Sequence, residues 1–261
     1  MLDQITPLIL TYNEAPNIGR VLDRLRWARR VVVLDSYSDD TTEAIAKAYP
    51  NVSFVQRSFD RHANQWNHGL RETGIDTEWV LALDADFVLP DAFVEEIRAL
   101  NPAAGTAGCR ARFRYCIDGA PLRGTAYTPV TVLFRRETAR YEQDGHTQRV
   151  RIEGAIRDLR ARIDHDDRKS LDRWFQSQIR YMRLESEKLA RQRFSEAPFR
   201  DRVRKLIVVA PVLMFFYCMF VKRNVLDGRA GLQYALQRSV AEAILSLLLL
   251  QARLVPGSGK W

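Results

Sequence analysis

The chain is predicted to be an α/β protein whose sheet is mainly parallel over the first hundred residues and mixed beyond them, with a helical C-terminal region. Three observations predict this. Short apolar runs alternate with segments of helical period up to residue 100. Those runs are apolar throughout, which suits strands covered on both faces. After residue 105 the period becomes two, and after about 169 it becomes helical.

The elements follow in order. Residues 5–10 are the first apolar run. Pro16 then suits the first turn of a helix, and Ile18, Val21, Leu22 and Leu25 fall on one helical stripe. Residues 31–34 are the second run. Asp40 with Glu43 is a helix-start signature with Asp as the cap. Residues 52–55 and 79–83 are further runs, each followed by a helix, at 62–72 and 91–100. Over 109–117, Ala111, Phe113 and Tyr115 alternate with Arg110, Arg112 and Arg114, the pattern of a half-exposed strand. Asp118-Gly119 is a turn signal, and 130–134 and 159–163 are further strands. Residues 170–194 form one long amphipathic helix. Trp174 and Tyr181 lie on its stripe and serve either its core or an acceptor platform. The expected division is a sheet domain at 1–168 and a helical region at 169–261.

Two apolar stretches, 206–221 and 243–250, lie in that region, with basic residues around the first. A 16-residue helix is roughly 24 Å long, short of a hydrocarbon core about 30 Å thick. Neither stretch is therefore expected to span a membrane. Helices within 203–253, joined by a turn at 224–231, are expected to lie in one leaflet or to pack on the domain or on a second copy.

The net charge of +8 is uneven. Residues 1–100 carry ten Lys+Arg against sixteen Asp+Glu, and 101–261 carry thirty against sixteen. A basic C-terminal half fits an anionic membrane surface. No nucleic-acid-binding motif accompanies it, so nucleic acid is not an expected partner. Cys109, Cys116 and Cys218 lack zinc spacing and read as buried thiols of a reducing compartment. MLDQITPLIL lacks a basic segment and contains Pro7, so it is not read as a signal peptide.

The chemistry concentrates in "LALDAD", 81–86. Residues i and i+2 of a strand point the same way, so Asp84 and Asp86 converge at its carboxyl end, where open α/β sheets bind ligands. Two carboxylates at one point favour Mg²⁺ or Mn²⁺. Alone, a D-x-D pair is also what a solvated loop carries.

Together with "LILTYNE" (8–14), "VLDSYSDDTT" (33–42) and "RHANQWNHGL" (61–70), the pair resembles the stations of family 2 glycosyltransferases of the GT-A fold, over residues 5–100. The likeness is greatest to bacterial enzymes that build lipopolysaccharide core or other envelope glycans. It implies a metal-dependent inverting transfer from a nucleotide sugar, with UDP the default, to a glycan or lipid-linked acceptor at the cytoplasmic membrane face.

The resemblance implies that Thr11, Tyr12, Glu14, Asp35, Arg61 and Asn67 surround the nucleotide. Asp84 would lie by the ribose or donor sugar and Asp86 on the metal. The general base would be Asp144, with His146 as the alternative and a plain Asp-Gly turn as the third reading. His165 would be a third metal ligand or sit against the diphosphate. Arg168 would clamp phosphate or pair with Asp166 or Asp167. Nucleotidyl transfer is a rival, though "LILTYNEAPN" lacks its Gly-rich basic loop. A non-catalytic, membrane-bound relative is another.

Overall fold

The computed structural model describes residues 1–144 and 147–254, leaving aside the side chains at 144 and 147. Its contacts divide the chain into two units. One is residues 1–121 with 127–168, and the other is 122–126 with 169–261.

The first unit is built on one mixed sheet. Strands β1 (Ile5–Thr11), β2 (Val31–Asp35), β3 (Val52–Gln56) and β4 (Trp79–Asp84) pair in parallel in the order β3-β2-β1-β4. Helices α1 (Ile18–Asp23), α2 (Thr42–Lys47), α3 (His62–Glu72) and α4 (Asp91–Arg98) make the connections. Both faces are covered. Val31, Val33, Leu81 and Leu83 pack with Ile18, Leu22, Phe93 and Ile97 of α1 and α4. Val32, Leu34, Val80 and Ala82 pack with Trp66 and Leu70 of α3. Burial on alternate sides is why these strands read as unbroken apolar runs.

Beyond β4 the sheet turns mixed, as expected. It adds β5 (Phe87–Val88), β6 (Thr106–Ile117), β7 (Ala120–Pro121), β8 (Val130–Arg135) and β11 (Ala155–His165), in the order β4-β8-β6-β11-β5 with β7 on β6. β8 is antiparallel to both β4 and β6, while β11 runs parallel to β6. Asp118 and Gly119, at φ +48° and +81°, make the turn from β6 to β7. The remaining hairpin, β9 (Ala139–Asp144) with β10 (Thr147–Ile152), stands apart from this sheet. Trp66 of α3 stacks on Tyr141 of β9 with ring centres 5.1 Å apart.

The second unit is helical: α5 (Leu171–Arg191), α6 (Phe199–Lys205), α7 (Val209–Phe216), a π turn (Tyr217–Val221), a 3-10 turn (Asn224–Asp227) and α8 (Gly228–Leu254). Met182 and Leu189 of α5 pack on Leu245 and Leu249 of α8. Arg204 of α6 is buried between Glu185 and Glu242, at 3.1 and 2.6 Å.

One expectation is corrected here. The stretch 243–250 is not a short helix after a turn at 224–231, because helix α8 begins at Gly228 and runs 27 residues. Asn224–Leu254 is long and apolar enough to cross a membrane by length and composition. Arg229, Gln233, Gln237, Arg238 and Glu242 interrupt the apolar pattern, which is why only its last part stands out in the sequence.

Candidate active site

The site gathers at the carboxyl ends of β1, β2 and β4. Register places Thr11 opposite Asp35, and Leu10 opposite Asp84, so the three expected positions sit side by side. Asp35 is fully buried. It accepts from Thr11 Oγ1 at 2.7 Å, Ser38 N at 2.8 Å and Ser38 Oγ at 2.5 Å. Ser38 Oγ in turn accepts from Asn13 N, and Asn13 Oδ1 accepts from Asp39 N at 2.9 Å. Asn13 holds φ +56°, which its short amide tolerates. Tyr37, bulky and at φ +57°, does so at a cost. Tyr12 and Tyr37 are both more than one-third exposed, so two rings stand open beside this laced floor.

A second network ties the loop after β1 to the end of β11. Glu14 accepts from Asn17 Nδ2, which also reaches Asp167 Oδ1, each at 2.8 Å. Asn17 Oδ1 accepts from Arg20 and from the Arg168 amide. Asp166 receives Arg20 at 2.8 Å, Arg168 at 2.9 Å and the Gly119 amide at 3.0 Å. Burial raises the Asp166 pKa, but these donors win and hold it below the ordinary carboxylate value. Of the two readings for Arg168, the structure realises the ion pair with Asp166. Asn17 and Arg20 were missed in the sequence. The only signal was a second asparagine in "NEAPN".

Asp86 is met by His165. Pairing of β5 with β11 sets His165 opposite Phe87, and the Asp166 amide donates to the Asp86 carbonyl at 3.0 Å. His165 Nε2 then lies 3.2 Å from Asp86 Oδ2, with the two side chains 14% and 13% exposed. Tyr115, Tyr127 and Phe87 surround the imidazole at 4.7, 4.8 and 5.2 Å. Burial works against charge on His165, but Asp86, Asp84 and Asp167 together raise its pKa above the ordinary imidazole value. The pocket therefore has a potential that favours a cation. Among the described residues no three acidic, His or Cys side chains form a ready metal cage. Asp86 and His165, with Asp84 adding negative charge, are a donor set that would suit a hard divalent ion.

Asn67, Arg61 and Asp144 lie at α3 and β9. Asn67 exchanges two 2.9 Å hydrogen bonds with the backbone of Tyr141, so its amide fastens β9 to α3. Arg61 stands exposed at the start of α3. Asp144 ends β9, and its side chain lies outside the described residues, as does His146.

A model of the family described as "Glycosyl transferase family 2" matches residues 8–156. Solved structures are similar at low identity. TarS 1-349 of S. aureus with UDP-GlcNAc is 13% identical over 96% of this chain and 91% of that one, with a TM-score of 0.49. Glucosyl-3-phosphoglycerate synthase of Mycobacterium tuberculosis, with Mn²⁺, UDP and glucosyl-3-phosphoglycerate, is 15% identical over 72% and 79%, at 0.45. With TM-scores under 0.5, these likenesses assign no substrate. No curated protein matches the sequence.

Proposed function

The chain belongs to glycosyl transferase family 2 and is a glycosyltransferase, and from that premise we propose that it moves a sugar, with inversion, from a UDP-sugar to a glycan or lipid-linked acceptor of a bacterial envelope. The acceptor would be met at the cytoplasmic membrane face. Family membership displaces the nucleotidyl-transfer alternative.

The observation that carries the reading is the convergence of Asp84, Asp86 and His165 beside the Thr11–Asp35 floor. Asp86 and His165 would hold Mg²⁺ or Mn²⁺. When bound, such an ion supplies neutralising charge to a departing diphosphate. The chain's own groups do the rest. The floor of Asp35, Ser38 and Asn13 fixes the loop on which Tyr12 and Tyr37 present their rings to a base. Asp144 takes the proton of the acceptor hydroxyl.

A panel of nucleotide sugars, assayed for turnover and thermal shift with and without Mn²⁺, tests this. UDP-sugars are expected to stabilise the protein only with the metal, by mass action. Asp86→Ala should lower turnover by on the order of 100-fold or more, because several kcal/mol of charge stabilisation goes with the ion. Unchanged, metal-independent turnover in that variant would remove the metal assignment. Asp144→Asn should lower kcat and leave the donor-induced thermal shift in place. A lost shift would make Asp144 a binding residue instead.

A further inference from the structure

The helical unit carries an apolar face that none of its described residues covers. Along α7 and the π turn, Val209, Val212, Leu213, Phe216 and Phe220 recur at helical spacing, and all are exposed, Phe220 at 61%. Ala210 and Cys218, on the opposite side, are buried. That side is fixed to α8, where Ser239 Oγ donates to the Pro211 carbonyl at 2.8 Å and Ser246 Oγ to that of Ile207 at 2.5 Å. The exposed stripe is therefore held outward by the fold.

We propose that this face is an interfacial membrane anchor, buried in one leaflet of an anionic bilayer, and that α8 does not cross the bilayer. The proposal does not depend on the transferase reading.

Two arguments select the occupant. The first is charge. Residues 202–226 contain no Asp or Glu. Arg202 and Lys205 precede the stripe, and Lys222 and Arg223 follow it. The Lys222 ammonium sits 5.2 Å from the centre of the Tyr217 ring, at the end of the apolar run. Cations at both ends of an apolar face match phospholipid headgroups over acyl chains. A second copy of the chain would instead bring cation against cation around the rim.

The second argument is geometric. The apolar helix Val209–Val221 is 13 residues, or roughly 20 Å, which is too short for a hydrocarbon core about 30 Å thick. Helix α8 is long enough, but α5 lies along its second half and exposes Asp172, Arg180, Arg183 and Glu187. Placing those charges in hydrocarbon costs about 2.5–3.5 kcal/mol each. The face of α7 can enter lipid without taking α5 with it.

The test uses the purified full-length chain without detergent. It is expected to float with vesicles containing about 30% phosphatidylglycerol in phosphatidylcholine, and less well with phosphatidylcholine alone or in high salt. Phe216→Glu with Phe220→Glu should weaken flotation by about tenfold or more while circular dichroism stays unchanged. If that variant fails to fold, Lys222→Gln with Arg223→Gln gives the same test through the salt-dependent part. Chains bound to one vesicle population should pass to a second added later, which an interfacial anchor permits and a spanning helix does not. Three results would overturn the proposal: no flotation on anionic vesicles, chains that never exchange, or a stable dimer in sedimentation that ignores lipid.

Discussion

Asp35 and Asp86 are both carboxylates at strand ends, yet they do opposite work. Asp35 is enclosed by donors, and its replacement by Asn would set an NH₂ group against the Ser38 amide or the Thr11 hydroxyl. An unsatisfied buried donor costs about 1–3 kcal/mol, so Asp35→Asn should lower the unfolding free energy by that amount in urea melts. Asp86→Asn should cost less stability and remove turnover, since Asp86 pairs with the His165 imidazole where the surrounding acids favour a cation. The thiols give a pH prediction. Burial pushes Cys109 and Cys116 up to about 11 from 9.0. Between those values the unfolded chain has lost protons that the folded chain keeps, so stability is level below pH 9 and falls as pH rises toward 11. Urea melts at pH 8 and pH 10 should show the decline, and Cys109→Ala should reduce it to the Cys116 contribution. At pH 8 the native thiols should resist iodoacetamide and react after unfolding. Asp84 and Asp86 were legible in sequence as paired acids closing an apolar run, but not by a shared strand direction: β4 ends at Asp84, and Asp86 lies in the turn before β5. The pair of Arg168 with Asp166 was one of two readings, but the bonds of Asn67 to Tyr141 and of Asn17 to Arg168 were not legible, because they are chosen across 74 and 151 residues by how strands and helices meet.

The elements most legible were those whose apolar period is set by local burial. β1, β2, β4, α3 and α5 all appear where their patterns place them. The two-residue β5 and the hairpin of β9 and β10 did not declare themselves. The first exists through its pairing with β11, and the second alternates arginines and acids over much of its length. Helix α8 was hidden because its buried polar residues have partners elsewhere. Glu242 is satisfied by Arg204, which also holds Glu185. Removing the arginine leaves two buried carboxylates, so Arg204→Ala should destabilise the helical unit by about 3–5 kcal/mol in calorimetry. Arg204→Ala combined with Glu185→Gln and Glu242→Gln should recover part of the loss. Close approach sets a second constraint. A Cβ on Gly231 would fall 1.9 Å from the Asn224 carbonyl oxygen, which is backbone and cannot rotate away. Gly231→Ala should therefore shift the 3-10 turn off α8, read as new amide exchange at 224–227, whereas Gly228→Ala meets no neighbour and acts only through its φ of +58°.

Over the whole molecule, the fold divides into a sheet unit and a C-terminal unit with basic residues around an apolar face. The division is not a single cut in sequence. Residues 122–126 belong to the helical unit although sheet strands lie on both sides of them. Asp227 accepts from the Arg123 amide at 3.0 Å, and the Tyr234 hydroxyl accepts from the Ala126 amide at 2.8 Å. Asp227→Ala should raise deuterium exchange at Arg123 alone, and Tyr234→Phe at Ala126 alone, which separates two local tethers from a general loosening. The consequence of this short excursion is one of inheritance. A genetic crossover at 168 would carry the helices to a new catalytic sheet but leave five of their residues behind, and one at 121 would carry away four strands with them. No single exchange moves the helical unit intact, so sequence changes at 122–126 are expected to track those in α8 rather than those in the flanking strands.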